Sequence, residues 1–406
     1  MPVDLKKIPG VSLRPKIMGI NRWLILFSFL VILYIFILYF FTNITGGFYF
    51  ILVPVFFVFS GFYCVCFVCS LKHVSANAWD KQREEVILQE VRRGRRSLQI
   101  LAAECCTAHS LIDTPFTPVT SNLLNNDNVL FSQQSWLAED NVHLSQLDRM
   151  AGKNEECNVR MLFFELAKKI AEPLSQLPVN NPVMLLFETS SSISNDKLNN
   201  LWLQAWQTVG IQQSYIHING SGLGVIDDWL DNNIRSNAVL LIIGLQYVPE
   251  HTAMSAEVIS CILLGNRLTQ HIIPPLAFIH RPESVEKHTN HLHDAITQAL
   301  DWVPVSMDKP KHIWVSGILG GTHEYNVLMQ SLENGLLTGV NRQTGIHNFG
   351  DFIGDPDKAG MSLAIAAATQ SVNKKSEYHL LIIREKGSAN IWGVAISPCF
   401  IAKDGT

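Results

Sequence analysis

From residue 23 to residue 71 the chain carries no Asp, Glu, Lys or Arg, a charge-free gap of 49 residues between Arg22 and Lys72. Two apolar runs fill it, residues 23–41 (WLILFSFLVILYIFILYFF) and 48–71 (FYFILVPVFFVFSGFYCVCFVCSL), separated by Thr42-Asn43-Ile44-Thr45-Gly46-Gly47. About 20 apolar residues in a helix cross the ~30 Å hydrocarbon layer, where a helix satisfies its own backbone groups. The runs read as two transmembrane helices joined in a tight hairpin. Lys6, Lys7, Arg14, Lys16 and Arg22 precede the first run, Lys72, Lys81, Arg83, Arg92, Arg93, Arg95 and Arg96 follow the second, and the link is uncharged. By the positive-inside rule both termini, and everything after the second run, face the cytoplasm. A cleaved signal peptide is the competing reading, but the first run is too long and no small-residue cleavage site follows it.

Residues 1–72 hold six basic side chains and one acidic, so a total of −4 leaves −9 on the remainder. That balance argues against nucleic acid as a partner, because phosphate binding needs clustered cations. Of the eight cysteines, Cys64, Cys66 and Cys69 fall in the second apolar run, and Cys105, Cys106, Cys157, Cys261 and Cys399 are scattered without metal-ligand spacing. In the cytoplasm they read as reduced thiols.

The chain divides into an anchor (residues 1–72), a basic helix and linker (73–151) and a soluble α/β domain (152–406). Residues 79–108 read as one helix leaving the membrane, with Val86, Ile87, Val91, Leu98, Leu101 and Ala102 at helical spacing and Arg92, Arg93, Arg95 and Arg96 on a solvated face. Residues 114–148, with Pro115, Pro118 and SNLLNNDN, read as a linker. Beyond them we expect helices at 159–174, 197–209, 225–234, 255–266, 324–336 and 359–371. Strands are expected at 183–187, 214–218, 238–245, 276–280, 313–318, 380–383 and 391–396. Strands written as continuous apolar runs between helices imply a sheet covered on both faces. The order recurs in two halves, about 158–300 and 301–406, which suggests a duplicated α/β core.

Gly350-Asp351-Phe352-Ile353-Gly354-Asp355-Pro356-Asp357 leads into a helix rich in alanine (Ala364, Ala366, Ala367, Ala368), flanked by the strands at 379–383 and 392–396. This stretch resembles the last third of thiolase-fold ketosynthases, and the resemblance covers roughly residues 183–398. It implies a thiolase-like fold. A ketosynthase needs a nucleophilic Cys at a strand-to-helix turn and two His that position the acyl carbonyl. Here Cys261 sits among Val258, Ile259, Ile262 and Leu263, where an inert buried thiol belongs, and neither His323 nor His347 stands in the ketosynthase histidine context.

The anchor, Gly224-Val-Ile-Asp-Asp-Trp-Leu-Asp231, Met254-Ser-Ala-Glu-Val-Ile-Ser-Cys-Ile-Leu-Leu264 and Phe352-Ile-Gly-Asp-Pro-Asp357 resemble the type VI secretion lipase-adaptor family. That resemblance implies a protein of the bacterial inner membrane that loads a lipase effector onto a secretion spike protein. It implies no catalytic residue, cofactor or metal. The alternatives are a structural component of an inner-membrane complex, or an enzyme acting on acyl or lipid substrates.

Candidate sites are few. Gly220-Ser221-Gly222-Leu223-Gly224 matches no phosphate-loop or nucleophile-elbow pattern and reads as a turn. Asp227, Asp228 and Asp231 read as charges complementing a helix N-terminus. His288, His291, His293 and Asp294 form the densest ligand-type cluster but lack a visible fourth ligand of fixed geometry. If a pocket survives, its polar wall is expected to include His323, His347, Asp351 and Asp355, on loops at strand ends.

Overall fold

The computed structural model describes residues 7–14, 20–41, 47–134, 141–285, 292–303, 305–306, 308–333, 339–387 and 390–399. Two compact units result, one of residues 3–92 and one that contains residues 93–406.

In the first unit α1 (Ile20–Phe41) and α2 (Gly47–Gly94) run antiparallel: Trp23 meets Phe62 with ring centroids 5.3 Å apart, and Phe27 meets Phe59 at 5.9 Å. Their apolar side chains point outward, Ile25 at 70% exposure and Phe57 at 69%. Among the described residues one helix, Phe59–Gly94, is long and apolar enough to cross a membrane, and a shorter apolar helix covers Phe27–Ile37. The link at 42–46 lies outside the described residues. Residues 9–14 lie along the polar part of α2, where Arg83 Nε donates to the Pro9 carbonyl (2.7 Å) and the Ser12 N–H to Asp80 (3.0 Å).

The sequence reading of 79–108 as one helix fails at its end. α2 stops at Gly94, against which the Trp302 ring packs so closely that a Cβ would collide. Residues Ser97–Cys106 are a strand, β1, buried along its length. Consequently the core begins before residue 152. The expected linker is also structured: it holds α3 (Thr120–Leu124), β2 (Phe131–Gln134) and β3 (Asn141–Ser145).

Then follow α4 (Glu155–Gln176), β4 (Val183–Ser191), α5 (Asn195–Val209), β5 (Tyr215–His217), α6 (Gly222–Asn232), β6 (Val239–Tyr247), β7 (Ser255–Ala256) and β8 (Val258–Asn266). The expected helix at 255–266 is thus two strands. In β8, Ile262 and Leu264 face one core cluster while Ile259, Cys261 and Leu263 face another, the period-2 alternation of a strand buried on both faces. Cys261 is mid-strand, not mid-helix, and burial still pushes its thiol well above the usual range.

The chain continues with β9 (Ala277–His280), β10 (Glu283–Val285), α7 (Leu292–Asp301), β11 (Pro310–Ser316), α8 (His323–Glu333), β12 (Ile346–Asn348), α9 (Phe349–Phe352), α10 (Gly360–Lys374), β13 (Tyr378–Arg384) and β14 (Ile391–Pro398). Strand order is β5-β4-β6-β8-β1 in one half-sheet and β12-β11-β13-β14-β9 in the other. Each half has two parallel pairings followed by two antiparallel ones, and β1 joins β9 antiparallel between them. The duplication read in the sequence is therefore present, but its second half opens at β9, not at 301, and its first half needs β1.

α6 and α10 fill the same slot in the two halves, between the third and fourth strands in chain order, and both contribute to a central core shared by the two half-sheets. α4 and α5 cover the outer face of the first half, α7 and α8 that of the second. Small residues permit the central packing: a Cβ on Gly244 of β6 would collide with Ser362 and Ala359, and one on Gly360 with Ser316 of β11.

Candidate functional site

Parallel strands deliver their C-terminal ends to one edge, where α/β sites form. Here β4 delivers Glu188 and Thr189, the end of β13 delivers Arg384 with Glu385 just after it, and the β5–α6 turn brings Gly220, Ser221 and Gly222. With the 3-10 turn carrying Asp357 and Lys358 they enclose a cavity of about 180 Å³. A second, of about 340 Å³, shares Thr189, Asn195, Asp357, Lys358 and Lys386 with it and extends to Gln246, Glu250 and Asp355.

The strand-to-helix turn before α6 carries Ser221 and no cysteine, and the first two N–H groups of the helix are already bonded. The Gly222 N–H donates to Glu188 Oε1 (2.6 Å) and the Leu223 N–H to Glu385 Oε1 (2.8 Å). Gly222 sits at φ +59°, and a Cβ there would overlap the Glu385 carboxylate. Carboxylates at a helix N-terminus are favoured by the dipole and by its free N–H groups. Burial dominates nonetheless: it pushes Glu188 up to about 7, the Gly222 hydrogen bond opposing and Glu385 adding to the rise. Glu385 and Asp355 are raised by burial too. Among the described residues no histidine lines the cavity that holds Ser221.

Asp357 holds the two cavities together. It is a non-glycine residue at φ +48°, and its Oδ2 accepts from Ser190 Oγ (2.9 Å) and Lys386 Nζ (3.1 Å) while its N–H donates to Asp355 Oδ1 (3.0 Å).

The residues expected to form a pocket do not converge. Asp355 lines the larger cavity. Asp351 is exposed beside Gly320 and accepts from Asn348 Nδ2 (3.0 Å), and His323 is exposed at the start of α8. His347 is buried in a row of rings on neighbouring strands: it meets His312 (Nε2 to Nδ1, 2.9 Å), and Trp314 Nε1 donates to His379 Nδ1 (2.9 Å). The Asn126 amide donates to the Ile346 carbonyl, so its oxygen accepts from His347 Nδ1–H (2.7 Å) and His347 Nε2 must accept from His312. Burial lowers His347 to about 3 and His379 well below its usual value. Such rings are structural. Of the other histidine cluster, His288 and His291 lie outside the described residues, and His293 bonds the Ser331 carbonyl (3.2 Å). Among the described residues no group of three or more His, Cys, Asp or Glu is placed to hold a metal.

Asp227 and Asp231 are not caps either, since α6 begins at Gly222. Arg281, fully buried, pairs with Asp227 and with Asp231 (2.5 Å), and Arg93 (2.5 Å) and Arg96 (3.4 Å) pair with Asp231 as well. Against the cost of burial, hydrogen bonds from Arg93 and Arg281 hold Asp231 below the ordinary carboxylate range. Two of the arginines read as a solvated face are thus ion-pair partners.

Glu188 and Glu385 were missed in the sequence. Their signal was an acid at the end of an apolar strand run, VMLLF directly before Glu188 and LLII one residue before Glu385.

No protein-family model matches the chain, and no curated protein matches it in sequence. Solved structures do. The ketosynthase from module 1 of the bacillaene synthase of Bacillus amyloliquefaciens superposes with a TM-score of 0.54 at 10% identity, over 77% of this chain and 75% of that one. An oxazolomycin ketosynthase domain of Streptomyces albus gives 0.51 at 9%, over 75% and 96%. The PfaC ketosynthase–chain length factor gives 0.53 at 11%, over 75% and 43%. Identities this low establish the fold alone, a thiolase/ketosynthase-like α/β fold.

Proposed function

We propose that this chain is a non-enzymatic adaptor, held at the inner face of a bacterial inner membrane by its helical hairpin, that binds a lipase effector for delivery to a type VI secretion spike. The observation that carries the non-enzymatic part is that the first two N–H groups of α6 are bonded to glutamate carboxylates. Acyl transfer on this fold requires a nucleophile at the turn and donors free to hold an oxyanion. Here the Gly222 and Leu223 N–H groups are occupied by Glu188 and Glu385, and among the described residues no histidine lines the cavity that holds Ser221.

The anchoring part rests on the antiparallel pairing of α1 with α2 and on residues 9–14 lying against residues 79–83. That contact puts the N-terminal segment beside the chain leaving the second apolar run, as expected if both lie on the cytoplasmic side. The client is inferred from the family resemblance, and the acidic balance beyond residue 72 suits recognition by charge complementarity.

The test is co-purification of full-length protein from membranes with a lipase effector and a spike protein. Recovery of both, lost when a reporter shows the soluble part in the periplasm, fits the adaptor. A stable complex with neither, together with turnover of acyl or phospholipid substrates, overturns it.

A further inference from the structure

Three residues lining the two adjoining cavities each carry a buried acceptor atom without a hydrogen-bond partner: Glu188 Oε2 in the smaller, Gln246 Oε1 in the larger and Asp357 Oδ1 in both. Glu188 is 7% exposed and Gln246 1%. Each is fixed through its other polar atom, Glu188 by the Gly222 N–H, Gln246 by donating to the Asp355 carbonyl (2.8 Å) and Asp357 by Ser190. The orphaned atoms are therefore held in place, and leaving such an atom unbonded is unfavourable. No unpartnered buried donor lines either cavity among the described residues. A wall of unsatisfied acceptors calls for a donor-rich occupant.

Charge points the same way. The joint wall carries Glu188, Glu250, Asp355, Asp357 and Glu385 against Lys358, Lys386 and Arg384, of which Arg384 is paired with Glu324 and Lys386 with Asp357. Beside Glu188 lie Phe187, Met361 and Ile383, an apolar wall suited to an alkyl stem.

We propose that this cleft binds an organic cation, an alkylguanidinium or alkylammonium group, whose N–H donors bond Glu188 and Asp357 on the wall of the smaller cavity. A guanidinium offers five donors in a fixed plane and is only weakly hydrated, so it enters a half-buried site at lower cost than a compact ammonium. The same chemistry is found on a free amine and on an arginine side chain of a bound protein. Cation binding requires neither a client nor a membrane. It also has a proton signature: the bound cation favours the charged form of Glu188, which burial otherwise raises to about 7. Below that pH a proton leaves as the cation binds, and affinity falls by up to about tenfold per pH unit.

The experiment is isothermal titration of the full-length protein in detergent micelles with N-butylguanidinium and its neutral isostere N-butylurea, then with agmatine and Nα-acetylarginine methylamide. Saturable binding of butylguanidinium, about tenfold or more tighter than butylurea and weakened about tenfold by Glu188→Gln, is expected. Lys358→Met removes a competing cation and should leave binding equal or tighter. Preference for agmatine identifies a free amine as the occupant, and preference for the arginine derivative a protein side chain. Equal binding of cation and urea, no saturable binding of any cation, or unchanged affinity in a Glu188→Gln protein with unchanged thermal unfolding would overturn the proposal.

Discussion

Glu188 Oε1 lies 2.6 Å from the Gly222 backbone nitrogen, a carboxylate seated on the first turn of the central helix α6. Its pKa rises from an ordinary 4.5 to about 7. Between those values the folded chain keeps a proton that the unfolded chain has released, so stability falls as pH rises through that window. Glu188→Gln should remove this component. The check is urea denaturation at half-unit steps from pH 4.5 to 8, in which the variant loses less stability than the parent.

The ring row titrates with the opposite sign. His347 stays neutral in the fold down to about 3, against an ordinary 6.5. From pH 6.5 downward the unfolded chain takes up a proton that the folded chain refuses, so stability falls with falling pH. His347→Gln keeps a polar group near Asn126 and should flatten the acid side of the same stability profile.

Arg281, fully buried between Asp227 and Asp231, ties the end of β9 to α6. Arg281→Met removes the guanidinium shared by Asp227 and Asp231 and should cost roughly 3–5 kcal/mol. Adding Asp227→Asn should recover part of it, while Asp231 keeps Arg93 and Arg96. Denaturant midpoints of the single and double variants check this.

β1 pairs with β8 on one side and β9 on the other and so joins the half-sheets. A chain beginning at residue 93 should unfold cooperatively. One beginning at 152 lacks that strand and should show no cooperative transition by circular dichroism.

What could be read from the sequence follows from which signals are local. The α4, α5 and α10 helices stood out through apolar periodicity or small residues, and Gly210 closes α5 at φ +81° as its position suggests. Residues 258–266 read as helix because a mostly apolar segment buried on both faces has no period to separate strand from helix. Its β-branched Val258, Ile259 and Ile262 were the available signal. β1 was hidden behind an arginine-rich helix whose stop, Gly94, depends on a ring more than two hundred residues away. The site was harder still. Glu188 and Glu385 meet at α6 only through the pairing of two half-sheets, and no spacing along the chain encodes that.

The most direct test of the account is acylation of the intact protein. Full-length protein is incubated with acyl-coenzyme A and acyl-carrier-protein thioesters, while thiol release is followed and the protein mass measured. With the first two N–H groups of α6 bonded to Glu188 and Glu385, no covalent acyl adduct is expected, and thiol release no faster than in Ser221→Ala. A stoichiometric acyl-enzyme on Ser221, or on any cysteine of the core, would contradict it.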